Sequence, residues 1–587
     1  GRYVVFRSDA VNLSPNESHA PLQGPAIFLA DTLTGALSIV SHNSGSLVLT
    51  GNALSSDPLL SADGSHVVYV SQATDLVASQ IDSAGTPDVF LYDRATGTNV
   101  LVSHHTGAQA MAANNASTVA VLSGDGRFVA YESLATDVVA GQVGPPGRSG
   151  VFLYDLATGQ SVLVSHAAGS PATMASSGSF SPSLSADGRF VAYESLAADL
   201  VSGATASGGF DIYLYDRLSG ISSLVSHTAG DPTTGVGGIS PLLSADGHFV
   251  LFTSPSSALV SGLADSNSGG DAFRWDRQTD TTILVSHPSG APTTTGNDVS
   301  AGAGLSADGR FALWNSIATD LVPGQTGTAG VYELFLADLD AGTTTLVSHA
   351  DGSPAAGVGY TTAQLSADGA YVAFSTPAPN VVAGQTATNT GNAGDNVFLY
   401  DRLAGTTALL SRTPASPQAT GNAAAGSFAI SADGAAIVFS SAAADLASGD
   451  FNGQSDVFLS RNPLPGRVFF TLPPCRLIDT RQNGPALASG VITLVASHGA
   501  CGIPLTAKEI STNITVLGGT GAGYLTLYPG DLTAPLASTI NFAHNQTRSN
   551  NAILQLSLDG LGDLAIVSVI QGAGSVEVVI DVSGYFE

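Results

Sequence analysis

The sequence predicts an all-β chain, an eight-bladed β-propeller with seven blades as the alternative, followed by a small β-sandwich, and three observations predict it. Ser-Ala-Asp-Gly or a close variant recurs about every 62 residues, with its aspartate at Asp63, Asp125, Asp187, Asp246, Asp308, Asp368 and Asp433. Each copy is followed by three apolar-alternating runs, such as Arg189 to Tyr193, Asp211 to Arg217 and a closing Leu-Val-Ser-His. Apolar residues at helical spacing are sustained nowhere. A repeat of this length built only of short strands and turns is a propeller blade.

Strand-Asp-Gly-strand is a strong hairpin signal with positive φ at the turn, so Ser-Ala-Asp-Gly joins strands one and two. Thr96-Gly97, Thr158-Gly159 and Ser219-Gly220 make a second hairpin between strands three and four. The run from Gly1 to Phe6 aligns with strand two, so the first unit lacks strand one. The eighth unit runs through Asp433, Ala436 to Phe439 and Asp456 to Leu459, then leaves for Pro463 and Pro465 without a fourth strand. Eight second strands and eight third strands give eight blades; seven follow if the two incomplete units do not share one ring. Each end is expected to leave a strand edge, to be filled by further N-terminal sequence, by the chain's own C-terminal region or by a neighbouring subunit.

Composition narrows the function classes. Among 587 residues only 11% are charged and the formal net charge is −28, with Lys508 the single lysine, so no basic stripe exists for nucleic acid. No uninterrupted apolar run has membrane length, which predicts no spanning helix. The 62-residue rhythm stops near Asn462, giving a propeller over 1–462 and a second domain over 463–587. That domain holds both cysteines, Cys475 and Cys501, with no clustered histidine to make a zinc site. A disulfide is the simplest reading, and it implies an oxidising compartment. Its remaining runs, Ile510 to Leu517, Gly523 to Tyr528, Ser538 to Phe542, Ala552 to Leu556, Asp563 to Val569 and Ser575 to Val582, are short strands with turn residues between them, hence the sandwich.

Two resemblances accompany these readings. The repeats, with Ser185-Ala-Asp-Gly-Arg-Phe-Val-Ala-Tyr-Glu-Ser and Val89-Phe-Leu-Tyr-Asp-Arg-Ala-Thr-Gly, resemble the TolB-type, WD40-like propeller repeats of secreted bacterial proteins over 1–462. The tail, with Pro474-Cys-Arg-Leu-Ile-Asp-Thr-Arg481, Cys501-Gly-Ile-Pro504, Thr547-Arg-Ser-Asn-Asn-Ala552 and the final Ile580-Asp-Val-Ser-Gly-Tyr-Phe586, is similar to an uncharacterised C-terminal domain of bacterial extracellular proteins. The second resemblance implies a location at the cell surface or outside the cell, and transfers no catalytic residue.

The candidate sites divide into repeated and unrepeated sets. Ser-His dipeptides end at His42, His104, His166, His227, His287 and His349, with Arg412 in the seventh unit. Adjacent strand residues point to opposite faces, and a dyad copied around a ring is structural. Strand-three aspartates Asp93, Asp155, Asp216, Asp276, Asp338 and Asp401 are expected to accept backbone N–H groups of the following hairpin. Glu132 and Glu194 follow the strand-two tyrosine in neighbouring blades, where Val70, Thr253, Asn315 and Ser375 stand elsewhere; acid-base work by that pair is the minor reading. Oxygen-rich loops at Asp265, Asn267 and Asp271 and at Asp450, Asn452 and Asp456 suit calcium, against the weightier alternative of Asx turns with solvated carboxylates. No other cofactor is indicated. Sequons at Asn12, Asn16, Asn115, Asn513 and Asn545 are glycosylation candidates.

No asymmetric catalytic constellation stands out, which predicts a non-enzyme. The expected function is a secreted structural subunit of an extracellular filament or layer joined by strand or edge complementation. A monomeric adhesion propeller binding protein or glycan through its loop face is the alternative.

Overall fold

The computed structural model describes residues 1–587 except 14–23, 83–84, 387–393, 451, 465–468, 505–506, 531–533, 535–537, 558–562, 573 and 587. The chain forms two compact units, Gly1–Pro463 and Leu464–Glu587. The first is a β-propeller in which eight repeat sheets follow one another, six of four strands and the first and last of three. The fourth repeat shows the plan, with Ser179–Leu184, Phe190–Ser195, Asp211–Asp216 and Ile221–Leu224 antiparallel in sequence order. The first repeat has only Tyr3–Ser8, Ala26–Asp31 and Leu37–Ile39, and the eighth only Ala425–Ile430, Ala436–Ser441 and Asp456–Arg461.

The inner hairpin is longer than the two-residue turn that Asp-Gly suggests. The Ser61 N–H donates to the His66 carbonyl and the Gly64 N–H to Ser61, which encloses four residues in which glycine alone has positive φ. The aspartate works through its side chain instead: Asp63 Oδ1 accepts the Ser61 hydroxyl at 2.7 Å and the Ser65 N–H at 2.9 Å. The second position of the motif ties repeat to repeat. The Ala62 N–H donates to the Gly124 carbonyl, Gly124 to Ala186, Ala186 to Ala245, and so on through Ala307 and Ala367 to Ala432, all at 2.7–3.0 Å. These bonds run along the strand-one side of the sheets, so the first strands form the inner edge.

The turn glycine also carries the packing between repeats. Gly188 has φ +66°, and a Cβ there would run into the Phe128 ring of the preceding repeat. Phe128 is covered on its other sides by two guanidinium groups, Arg127 at 4.7 Å from the ring centroid and Arg217 of the next repeat at 4.4 Å. Arg127 forks onto Asp155 at 2.8 and 3.0 Å, while Arg217 Nε donates to the Gly188 carbonyl at 3.1 Å. The same set recurs around Tyr3, Phe190 and Phe311. In the fifth repeat His248 stands for the arginine, stacking on Phe249 at 4.1 Å and meeting Asp276 at 2.8 Å. Apolar clusters join neighbouring repeats, for example Val68, Val89 and Leu91 with Tyr131 and Phe152.

The junction of the eighth repeat with the first is different. Gly1 stands against Ala436, where the other turn glycines meet a ring, and Arg461 reaches the Gly1 carbonyl and Thr32 at 3.4 and 3.3 Å. Val457 and Leu459 of the eighth repeat are 42% and 40% exposed, whereas their counterparts Val89 and Leu91 are buried. The first-repeat cluster of Ala26, Phe28 and Ile39 contains no residue of the eighth.

The second unit is a β-sandwich. One sheet runs Phe469–Asp479, Ser575–Phe586, Glu509–Leu517, Arg548–Gln555; the other runs Ile492–Ala496, Asp563–Ile570, Gly523–Pro529, Ile540–Phe542. Their facing residues, among them Ile510, Ile514, Leu525, Ile566, Val578 and Ile580, form one core. Two of these strands were not foreseen, the first because it carries Pro473 and Pro474. Cys475 and Cys501 form a disulfide with Cα atoms 5.6 Å apart.

Replacing Gly188 by alanine is expected to lower stability to urea by about 2–4 kcal/mol, since both the backbone conformation and the space are denied to a Cβ. Replacing both cysteines by serine should lower the midpoint of the sandwich transition, at about 3 kcal/mol for a loop of this length; a scanning calorimeter that resolves the two transitions checks which one moves.

Candidate functional site

Most polar side chains of the propeller are spent on the repeat. His42, buried at 3% exposure, sets Nδ1 at 2.9 Å from the Asn43 carbonyl and Nε2 at 2.9 Å from the Gly97 carbonyl of the next repeat. His104 and His166 repeat this with Gly159 and Gly220, and His227 meets the Asp280 carboxylate at 3.0 Å. None of these rings has its neighbouring serine as a partner. The strand-three aspartates cap the following turn, as Asp93 does by accepting the Ala95 N–H at 2.7 Å. Several of them also hold an arginine, a pairing that spacing alone does not show.

The serines pair elsewhere. The hydroxyl of Ser103 donates to Asp88 at 2.7 Å, Ser226 to Asp211 at 3.2 Å, Ser286 to Asp271 at 3.0 Å and Ser348 to Glu333 at 2.8 Å. These acids open strand three, and all four are buried. Burial pushes the Asp88 carboxyl up to about 7, with the Asp82 charge adding to it. Asp271 is likewise pushed up to about 7 by burial and by Asp265. The seventh repeat has the neutral counterpart, Asn396, whose Oδ1 takes the Ser411 hydroxyl at 3.3 Å.

One group breaks the repeat. Strand one of the fourth repeat shifts register between Phe180 and Ser183, and Ser181 at the bulge has φ 54°. The bulge turns the Ser181 N–H away from its own sheet, and Glu132 of the third repeat accepts it at 2.8 Å. The Ser181 hydroxyl donates to Glu194 Oε1 at 3.1 Å, and Glu194 Oε2 accepts the N–H of Ser240, the bulge residue of the fifth repeat, at 2.8 Å. Two carboxylates are thus held on either side of one serine at the inner edge of repeats three to five. Burial, with the Glu194 charge added, holds Glu132 above the usual carboxylate range against the pull of the Ser181 N–H. Phe180 lies directly across the strands from Glu194, and its ring meets Phe210 edge-on at 5.9 Å. Arg7, Val70, Thr253, Asn315, Ser375 and Ser440 occupy the equivalent position in the other repeats, so the pair exists once.

The calcium candidates fall in two loops. Asp265 Oδ1 accepts the Asn267 and Ser268 N–H groups at 3.0 and 2.9 Å, and the Asn267 amide donates to the Gly296 and Asp298 carbonyls. Asn452 donates to Asp456 at 3.1 Å and accepts the Gln454 N–H, with Asp450 half-buried beside them. Among the described residues no three metal-ligating side chains converge. Of the sequons, Asn12, Asn513 and Asn545 are exposed and Asn115 is half-buried, while Asn16 lies outside the described residues.

No family model matches the chain, and no curated protein matches it. Solved structures do. The β-propeller domain of the Trilobed protease from Pyrococcus furiosus, with an open velcro topology, is 12% identical with a TM-score of 0.35, covering 69% of this chain and 94% of its own. A prolyl endopeptidase gives 12% and 0.38, covering 76% of this chain and 54% of its own. A puromycin-hydrolyzing peptidase of Mycobacterium tuberculosis gives 13% and 0.36, covering 75% and 57%. The chain thus spans little more than half the length of the last two. These findings overturn the reading of the chain as a non-enzymatic filament subunit or adhesion propeller: the propellers named belong to peptidases. At such identity the likeness shows the fold alone and assigns no peptidase chemistry here.

The buried aspartates generate a pH prediction. In the unfolded chain these carboxyls ionise at about pH 4, so between about pH 4 and 7 the folded protein holds protons that the unfolded chain has lost, and stability falls as pH rises through that window. Asp271→Asn, which keeps an acceptor for Ser286 and reproduces Asn396, should flatten that fall and leave the variant more stable than the parent by about 1–3 kcal/mol at pH 8. Urea unfolding at pH 4 and pH 8 measures both.

Proposed function

We propose that the inner edge of repeats three to five is a recognition site for a cationic group, the ammonium or guanidinium end of a peptide-like ligand. The observation that carries this reading is the Glu132–Ser181–Glu194 cluster, present once in a propeller that otherwise repeats its polar residues. The charge of Glu194 adds to the cost of ionising Glu132, and a cation beside the pair offsets it. Phe180 supplies an aromatic ring of the kind that stacks on guanidinium groups, and a net charge of −28 draws cations toward the molecule. The TolB-like character of the repeats, the extracellular character of the tail and a site of action outside the cytosol, which the disulfide favours, belong to the same proposal.

Tri-arginine titrated into the full chain at low salt, followed by calorimetry, tests it. Binding is expected to weaken at least about tenfold in the Glu132→Gln, Glu194→Gln double variant and to fall with added salt. Asp265→Asn, an acidic change elsewhere, should leave it unaltered. Equal affinity for the double variant and the parent would end this reading.

A further inference from the structure

Two cavities open at the outer rim, and both lie where the histidine staple between repeats is undone. His287 lines one of ≈ 300 Å³ together with Gly342, and His349 lines the other of ≈ 460 Å³ together with Gly405. In the first three repeats the equivalent glycine carbonyl is bonded to histidine Nε2. Here each ring keeps only its Nδ1 hydrogen bond, His349 to the Ala350 carbonyl at 2.9 Å, and Nε2 has no hydrogen-bond partner among the described residues. A proton on Nδ1 leaves the Nε2 lone pair as an acceptor.

The larger cavity, between repeats six and seven, has the richer chemistry. Its wall includes Arg412, which stands where the other repeats have histidine. Elsewhere in the propeller the arginines at the repeat position fork onto an aspartate or lie over an aromatic ring. The Arg412 guanidinium has neither an ion-pair nor a hydrogen-bond partner among the described residues, although its backbone bridges to Thr420. Thr407 adds a buried hydroxyl oxygen that also lacks a partner. Asp351 lines the same space, and its side chain makes no bond to Arg412. The wall therefore offers an unspent donor, the guanidinium fork, and unspent acceptors, a carboxylate and an imidazole nitrogen, while the Thr407 hydroxyl lies buried behind it.

We infer that this rim cavity binds a small amphoteric solute, with a carboxylate or similar oxyanion on Arg412 and an ammonium or hydroxyl donor on Asp351 and His349. A planar guanidinium matches a carboxylate in two parallel bonds, and a cavity of this size holds a solute of dipeptide dimensions. The site is remote in sequence from Glu132 and Glu194 and does not rest on that reading.

Glycylglycine, acetate and ethylamine titrated separately into the full chain, with ligand-observed saturation-transfer NMR, form the test. Glycylglycine is expected to bind saturably and more tightly than acetate or ethylamine alone, each of which carries half the recognition. Arg412→Gln should raise the glycylglycine dissociation constant at least about tenfold and Asp351→Asn about fivefold, while the thermal midpoints stay those of the parent because neither side chain holds the fold together. Binding that survives Arg412→Gln unchanged, equal binding of all three probes, or no saturable glycylglycine binding up to tens of millimolar each overturns the assignment.

Discussion

Every repeat of the propeller but the eighth rests on a single close approach, the aromatic ring at the start of strand two lying on the turn glycine of the next repeat. Only a residue without a side chain leaves that space, and only positive φ turns the chain in time. From this follow the arginines above the ring, the aspartates that hold the arginines, and the inner hydrogen bonds from Ala62 to Ala432. With 11% charged residues, much of the basic complement is spent twice, once on a carboxylate or carbonyl and once on a ring.

Function is carried where the repeat is broken. The Glu132–Ser181–Glu194 cluster takes its geometry from bulges in strand one, whose left-handed residues present N–H groups inward. The rim cavity takes its geometry from a staple left open beside Arg412. A backbone this uniform supplies seven or eight equivalent positions on each layer, and one or two substitutions give one of them a chemistry of its own.

The fold was legible because a hairpin signal recurring at one spacing fixes strands, turns and their order together. The propeller and the sandwich are both as read, and the pairing of Cys475 with Cys501 is as drawn. What spacing does not carry is the partner across a repeat boundary. Glu132 stands level with Glu194 in the repeat, but its partner, Ser181, lies 49 residues on in a bulge that no composition announces. Arg412 is an exception to the histidines, and its significance depends on Asp351, which reaches the same cavity from the turn of the preceding repeat. Asp265 and Asp271 look like cation ligands in one dimension, whereas in three Asp265 is committed to its own turn and Asp271 to Ser286.

Among the described residues the eighth and first sheets meet through Gly1, Ala436 and Arg461 in place of a shared apolar core and a stacked ring. In an array whose stability is a sum of nearest-neighbour couplings, one weak coupling sets the order of events. Fraying that begins at that junction would run both ways around the molecule and reach repeats four and five last. The Glu132–Ser181–Glu194 cluster, in repeats three and four, lies well away from the weak link.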